Sequence, residues 1–204
     1  MVGAGAFPMM LGPEIDEAQR AIVAILESMR VPYALGGAIA MSYHRYVRAT
    51  RDIDFLILLP AVQVQAFADA LNAAGFRMHD DNDQPVAVEV APFVQSTRDL
   101  GLCRVWWKHV RVELFVPKVP LQDSVLKRRF RVEDGAAGVW VTTVEDLILL
   151  KMIFHRDKDL VDVRRLIAAN RDTLDRAYVE SWIPKTLTET AGRELRDMLQ
   201  AAAT

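Results

Sequence analysis

Residues 35–59 read LGGAIAMSYHRYVRATRDIDFLILL. Gly36 and Gly37 open a helical stretch, Arg45, Arg48 and Arg51 make its exit basic, and Asp52 and Asp54 stand at the mouth of a strongly apolar strand. Residues two apart on a strand project to one face, so the two carboxylates converge from Cα atoms about 7 Å apart. Such a pair can share one divalent ion, or hold two ions ~3.5–4 Å apart. Magnesium suits it, because magnesium takes oxygen ligands and keeps positions for phosphates and water. Bare glycine N–H groups ahead of a helix accept phosphate. Each signal alone is ordinary, since any turn can use glycine and an Asp pair can simply mark a strand start. Together, at one end of adjacent strands joined by one helix, they point to a metal-nucleotide site.

Upstream, Ile15, Ala18, Ile22, Ile25, Leu26 and Met29 fall on one face at helical spacing, which predicts a helix from Glu14 to about Arg30 with Pro13 in its first turn. Pro32 stops it, and Tyr33–Leu35 is a short strand. The glycine-led helix is expected over Ala38–Tyr46, and the apolar strand over Asp52–Leu59, ended by Pro60. A third helix fits Val62–Ala74, with Gly75 as its stop. Residues 79–85 are a polar loop, and 86–97 fit strand or helix equally. Arg104–Trp107 and Val110–Val116 read as strands joined by a tight turn at Lys108-His109. From about Leu121 the pattern turns mostly helical. Thr142 with Glu145 offers a capping box for a helix through Phe154, and further helices fit 159–169, 175–183 and 188–201. The fold class is therefore α/β (α+β), a mixed β-sheet flanked by helices. The organisation is a core over 12–118 and a mainly helical C-terminal region over 119–204.

Two ions clamping a phosphoryl group ask for a third acid. Glu113 in RVELFVP is preferred, because its hairpin partner is clear and its strand can pair beside the Asp strand, with Arg111 and Phe115 on its face. Glu89 in VAVEVAP is the rival.

With these residues in place, LGGAIAMSYHRYVRATRDIDFLI resembles the nucleotidyltransferase superfamily that shares its core with DNA polymerase beta. Within it, the chain is similar to the bacterial abortive-infection toxin type (AbiEii-like). The run from Arg48 to Asp54 fits that branch, as does VEDLILLKMIFHRDKDLVDVRRL near the C-terminus. The resemblance spans about 15–118 and 140–168. The interval from Gly37 to Asp52 is at the long end of the pattern, and Gly37 replaces the Ser of many relatives, so a hydroxyl contact to phosphate is missing.

The resemblance implies a role for each matched position. Gly36 and Gly37 hold the triphosphate, with Arg48 and Thr50 also at the nucleotide. Asp52, Asp54 and Glu113 bind Mg2+ or Mn2+, and Glu113 helps deprotonate the acceptor. Lys151 reaches the phosphates, and Asp159 supports the site from the next helix. The implied activity moves a nucleoside monophosphate from an NTP, such as ATP or GTP, to an acceptor hydroxyl on RNA, protein or a small molecule. The toxin branch adds tRNA or a protein as acceptor and an antitoxin as partner. The reading from another class is a non-catalytic nucleotide-binding or interaction module on the same fold.

The rest of the chain bounds these readings. It has 204 residues, 51% hydrophobic and 25% charged, with a net charge of −2, so no global charge favours nucleic acid. Cys103 is the only cysteine, which excludes an intrachain disulfide and a cysteine zinc site. It reads as a small buried apolar residue. The four histidines lack metal spacing, although His155 follows Lys151 by one helical turn. Trp106 and Trp107 face opposite ways on a strand. Lys127, Arg128, Arg129 and Arg131 read as a solvated helix face or an RNA contact. No G-x-G-x-x-G or G-x-S-x-G occurs. The apolar N-terminus, MVGAGAFPMMLGPE, has no basic n-region and is expected to be a loose tail on a cytoplasmic protein with no membrane association.

Overall fold

The computed structural model describes residues 12–133 and 138–202. Most of the expected tail, residues 1–11, lies outside them. The order is α1 (Pro13–Ser28), β1 (Tyr33–Leu35), α2 (Gly37–Ser42), β2 (Asp52–Ile57), α3 (Val64–Ala73), β3 (Met78–His79), β4 (Pro85–Val86), α4 (Val90–Leu100), β5 (Leu102–Trp107), β6 (Val110–Phe115), α5 (Pro120–Arg128), β7 (Phe130–Val132), β8 (Val139–Val141), α6 (Val144–Phe154), α7 (Asp157–Asn170), α8 (Arg176–Thr186) and α9 (Glu189–Ala201).

Six strands form one mixed sheet in the order β5-β6-β2-β1-β8-β7, and β3 pairs with β4 apart from it. β2 runs parallel to β6 and antiparallel to β1, while β1 runs parallel to β8. Alternation decides the faces. Ile53 and Phe55 of β2, Val112 and Leu114 of β6, and Cys103 and Val105 of β5 are fully buried. On this side Ile22 and Leu26 of α1 and Phe67 and Leu71 of α3 complete the core. The intervening residues point the other way, toward α6 and α7. α6 is buried on most sides, its charged Glu145, Asp146 and Lys151 included, as expected of a helix enclosed by its neighbours.

The structure departs from the sequence reading most in four places. First, α2 ends at Ser42, not Tyr46. The Ser42 hydroxyl donates to Ile39 O (2.6 Å), and Arg45 turns left-handed at φ 63°. Second, the ambiguous stretch is helical over Val90–Leu100, where Phe93 packs edge-on to Phe67 of α3. Third, β7 and β8 form a hairpin inside the stretch expected to be helical. Its buried Val132, Val139 and Val141 alternate over only three residues per strand, too short to stand out as a period. Fourth, α6 is capped one residue later than expected. Thr143 accepts from Asp146 N (3.3 Å), not Thr142 with Glu145, and Thr142 N donates to Leu35 O (3.0 Å), extending the β1–β8 pairing.

Candidate active site

A cleft of about 760 Å³ opens on the sheet face opposite α1. Its floor is three cross-strand rows fixed by register. Asp52 lies beside Arg111, which pairs with Trp106; Asp54 lies beside Glu113, which pairs with Arg104; Leu56 lies beside Phe115, which pairs with Leu102. Rows two residues apart stand roughly 7 Å from each other. The floor thus passes from carboxylate and guanidinium groups to purely apolar side chains within about 14 Å. Leu147, Leu150, Lys151 and Phe154 of α6 close the opposite side, with Arg156, Lys158 and Asp159 beyond them.

All nine residues singled out from the sequence border this cleft: Gly36, Gly37, Arg48, Thr50, Asp52, Asp54, Glu113, Lys151 and Asp159. Glu89 does not; it stands exposed at the start of α4.

Gly37 does more than leave room for a ligand. Its φ is +58°, and a Cβ there would fall 1.7 Å from Asp54 Oδ2 and 2.7 Å from its Cγ. The turn needs glycine so that the Asp54 carboxylate can lie against the backbone. Gly36 N donates to Asp54 O (2.8 Å), pinning the turn to β2. Thr50 braces the strand start, its hydroxyl donating to Asp52 O and accepting from Asp52 N, both at 3.1 Å.

The three acids differ in how they are neutralised. Arg111 Nη2 donates to Asp52 Oδ2 (2.7 Å), and its Nε lies 3.6 Å from Glu113 Oε1. Arg104 Nε donates to the same Glu113 oxygen (2.8 Å). Asp54 sits between them. Burial, then the charges of Glu113 and Asp52, push its carboxyl up to about 6, more than Lys151 and Arg111 pull it back.

Behind α6 a second set of charges is ion-paired. Lys151 Nζ donates to Asp162 Oδ2 (2.7 Å) and lies 3.6 Å from Asp159 Oδ1. Arg48 Nε lies 3.3 Å from Asp162 Oδ1. Arg156 donates to both Asp159 oxygens, from Nε to Oδ2 (2.6 Å) and from Nη2 to Oδ1 (3.2 Å). Burial raises the Asp159 carboxyl, but the Arg156 hydrogen bonds and the Lys151 charge together hold it below its ordinary range. Lys151 therefore faces the cleft with its ammonium already oriented by two buried carboxylates.

Other expectations sort clearly. His155 turns away as the left-handed end of α6, its Nε2 2.9 Å from Glu194 of α9. The basic run is committed within the fold: Arg128 pairs with Glu145 (3.1 Å) and stacks on Tyr178, while Arg129 and Arg131 lie over Trp140. Cys103 is buried, and burial pushes its thiol up to about 12. Among the described residues no helix is long and apolar enough to cross a membrane. The sequence reading left without a role Arg104, Arg156 and the apolar row of Leu56, Phe115 and Leu102. Leu56 and Phe115 follow the acids at period-two spacing, Arg104 and Leu102 join them only through the strand register, and Arg156 joins from the N-cap of α7.

A glycine turn against an Asp-x-Asp strand, with a third acid in register on the next strand, defines a nucleotidyltransferase-type core. Solved structures share this fold. An antigenic nucleotidyltransferase-like protein from Paracoccidioides brasiliensis is 15% identical with a TM-score of 0.52, the match covering 93% of this chain and 89% of that one. ANT(2")-Ia in complex with adenylyl-2"-tobramycin is 13% identical with a TM-score of 0.51, covering 90% and 98%. The chain belongs to the AbiEii nucleotidyl transferase toxin family of type IV toxin–antitoxin systems, whose model matches residues 21–201. It is thus a nucleotidyltransferase by family. None of the curated proteins matches it.

Proposed function

We propose that this chain transfers a nucleoside monophosphate from an NTP to an acceptor hydroxyl, as the toxin of a toxin–antitoxin pair. The observation that carries the reading is the gradient along the cleft floor. A nucleotide is a polyanion at one end and a flat apolar ring at the other. The cleft offers seven cationic side chains, Arg48, Arg51, Arg104, Arg111, Lys151, Arg156 and Lys158, against four carboxylates, although the whole chain is net negative. Phosphates belong near Gly36, Gly37 and Lys151. The base belongs against Phe115 and Phe154, whose rings meet edge-on at 6.3 Å. Phe154 is half exposed at the cleft mouth, 51% accessible, an arrangement suited to ring stacking.

As they lie, no three His, Cys, Asp or Glu side chains among the described residues form a ready metal cage. The donor set still fits a hard divalent cation: three carboxylates on two adjacent strands, the central one, Asp54, raised to about 6 by burial first and then by the charges of Glu113 and Asp52. Asp52, Asp54 and Glu113 would hold Mg2+ or Mn2+, which supplies positive charge at the acceptor oxygen and at the phosphoryl oxygens. The acceptor oxygen forms its bond to the α-phosphorus as the bond to the bridging oxygen breaks, and pyrophosphate leaves toward Lys151 and the glycine turn. Glu113 takes the acceptor's proton. Positioning and electrostatics then carry most of the rate.

Incubation with each labelled NTP and Mg2+ or Mn2+, with total tRNA, cell protein and aminoglycosides as acceptors, tests the reading. The expected result is label on one acceptor class, lost in Asp54→Ala. No transfer to any class, and no metal-dependent nucleotide binding, would sink it. Expression without its antitoxin should slow growth, and Asp54→Ala should restore it.

A further inference from the structure

We propose that Arg111 is a phosphate ligand held in waiting on the metal acids, so that the nucleotide and the divalent ion enter this site only together. The inference rests on the transferase reading above. Arg111 and Asp52 are register partners on parallel strands, and the guanidinium spans from Asp52 (2.7 Å) to Glu113 (3.6 Å). Those are two of the three carboxylates that would take the ion. A guanidinium so placed supplies the charge the ion would bring, and an ion arriving alone must displace it. The Arg111 Nε is buried with no hydrogen-bond partner, so the residue has donor capacity that its present carboxylates do not satisfy.

The side chain is more than a third exposed and borders the cleft. It can therefore turn from the carboxylates to a phosphate without unpacking the core. A planar fork of donors serves either oxyanion equally well. When the triphosphate arrives, Arg111 exchanges Asp52 for a phosphate oxygen, and Asp52 is released to the ion, while Glu113 keeps only its Arg104 partner. Arg104, from the edge strand, pairs with Glu113 alone and leaves Asp52 untouched. The interlock is thus assigned to Arg111.

The distinguishing sign is opposite changes in two affinities. Mn2+ binding is followed by electron paramagnetic resonance, with and without the four α,β-methylene nucleoside triphosphates. Binding of those nucleotides alone is followed by calorimetry. Wild type should bind Mn2+ at least tenfold more tightly with its nucleotide than without. Arg111→Gln should bind Mn2+ alone at least tenfold more tightly than wild type, yet bind nucleotide alone at least tenfold more weakly. Arg111→Lys should recover part of both. Arg51→Gln removes a cleft cation that these acids do not contact, and should change Mn2+ affinity less than threefold, which sets the size of a general field effect. The proposal is overturned if Arg111→Gln matches wild type or Arg51→Gln in Mn2+ affinity, or keeps its nucleotide affinity. If wild type takes up no Mn2+ even with nucleotide, the transferase reading falls and this inference falls with it.

Discussion

Two groups of carboxylates lie on either side of Lys151, one on the cleft floor and one buried behind α6, and they are built on opposite principles. Asp159 and Asp162 on α7 are buried, and each is met by two cations within 4 Å. Asp52, Asp54 and Glu113 on the sheet floor are partly exposed, and among the described residues the central one has no ion pair within 4 Å, with its carboxyl lifted to about 6. The first group is complete and orients Lys151. The second is short of positive charge at the point where three strand residues converge. A structural ion-pair network satisfies itself, whereas a site leaves the charge deficit for its ligand to fill.

The largest break in this comparison comes from the floor. Asp52→Ala or Asp54→Ala should lower nucleotidyl transfer on the order of 10³-fold while the far-UV circular dichroism stays native. Retained transfer in both variants would show that the floor acids do not hold the metal. On the other wall, Asp162→Ala should cost about 3 kcal/mol of folding stability, because it strips Lys151 and Arg48 of a buried partner. Urea unfolding measures it, and a loss under about 1 kcal/mol would mean that the pair behaves like a surface contact.

The pH response separates the two groups by sign. The native Asp54 carboxyl holds its proton to about pH 6, while in the unfolded chain it ionises near its ordinary ~3.9. The unfolded state therefore releases that proton first, and stability falls as pH rises through this window. Above about pH 7 the folded protein carries a penalty of about 2–3 kcal/mol. Asp54→Asn should remove it, making the metal-free protein more stable at pH 8 and no different at pH 4. Asp159 is shifted the opposite way and adds stability above its unfolded pKa, lost as pH falls below it. Equal unfolding midpoints for wild type and Asp54→Asn at pH 8 would contradict the raised Asp54 carboxyl. The smallest effect is expected from Gly37→Ala. A left-handed alanine costs about 1 kcal/mol, and the displaced Asp54 carboxylate should weaken Mn2+-nucleotide binding more than it weakens the fold.

Much of the floor was legible because strand alternation is a strict code. Asp52 and Asp54 had to share a face, and Glu113 needed only a strand to sit beside them. β2 and β6 meet with Asp54 opposite Glu113. Gly37 was legible as a turn residue, but its reason was not: the spacing suggested a phosphate, and the structure shows the Asp54 side chain against it. The α7 wall was harder to read. HRDKDLVD looks like a solvated helix end, and only the fold buries Asp159 and Asp162 under Lys151. The β7–β8 hairpin was missed because three-residue strands carry too few alternations to outweigh the helical signal around them. The capping threonine was misplaced by one for a related reason, since Thr142 and Thr143 are adjacent and only strand pairing assigns Thr142 to the sheet.

The parallel pairing of β1 with β8 has a consequence for the chain as it is made. Leu35 meets Val141, so the edge of β1 is covered only about a hundred residues after it is synthesised, roughly 5–20 s at ordinary ribosome speed. In that interval β1 is an open edge, able to pair with a foreign strand, and its three residues keep that opening short. Lys151 and Asp159 emerge later still. A nascent or truncated chain thus carries the floor acids without the opposite wall, and the cleft exists only once the chain through Asp159 has been made.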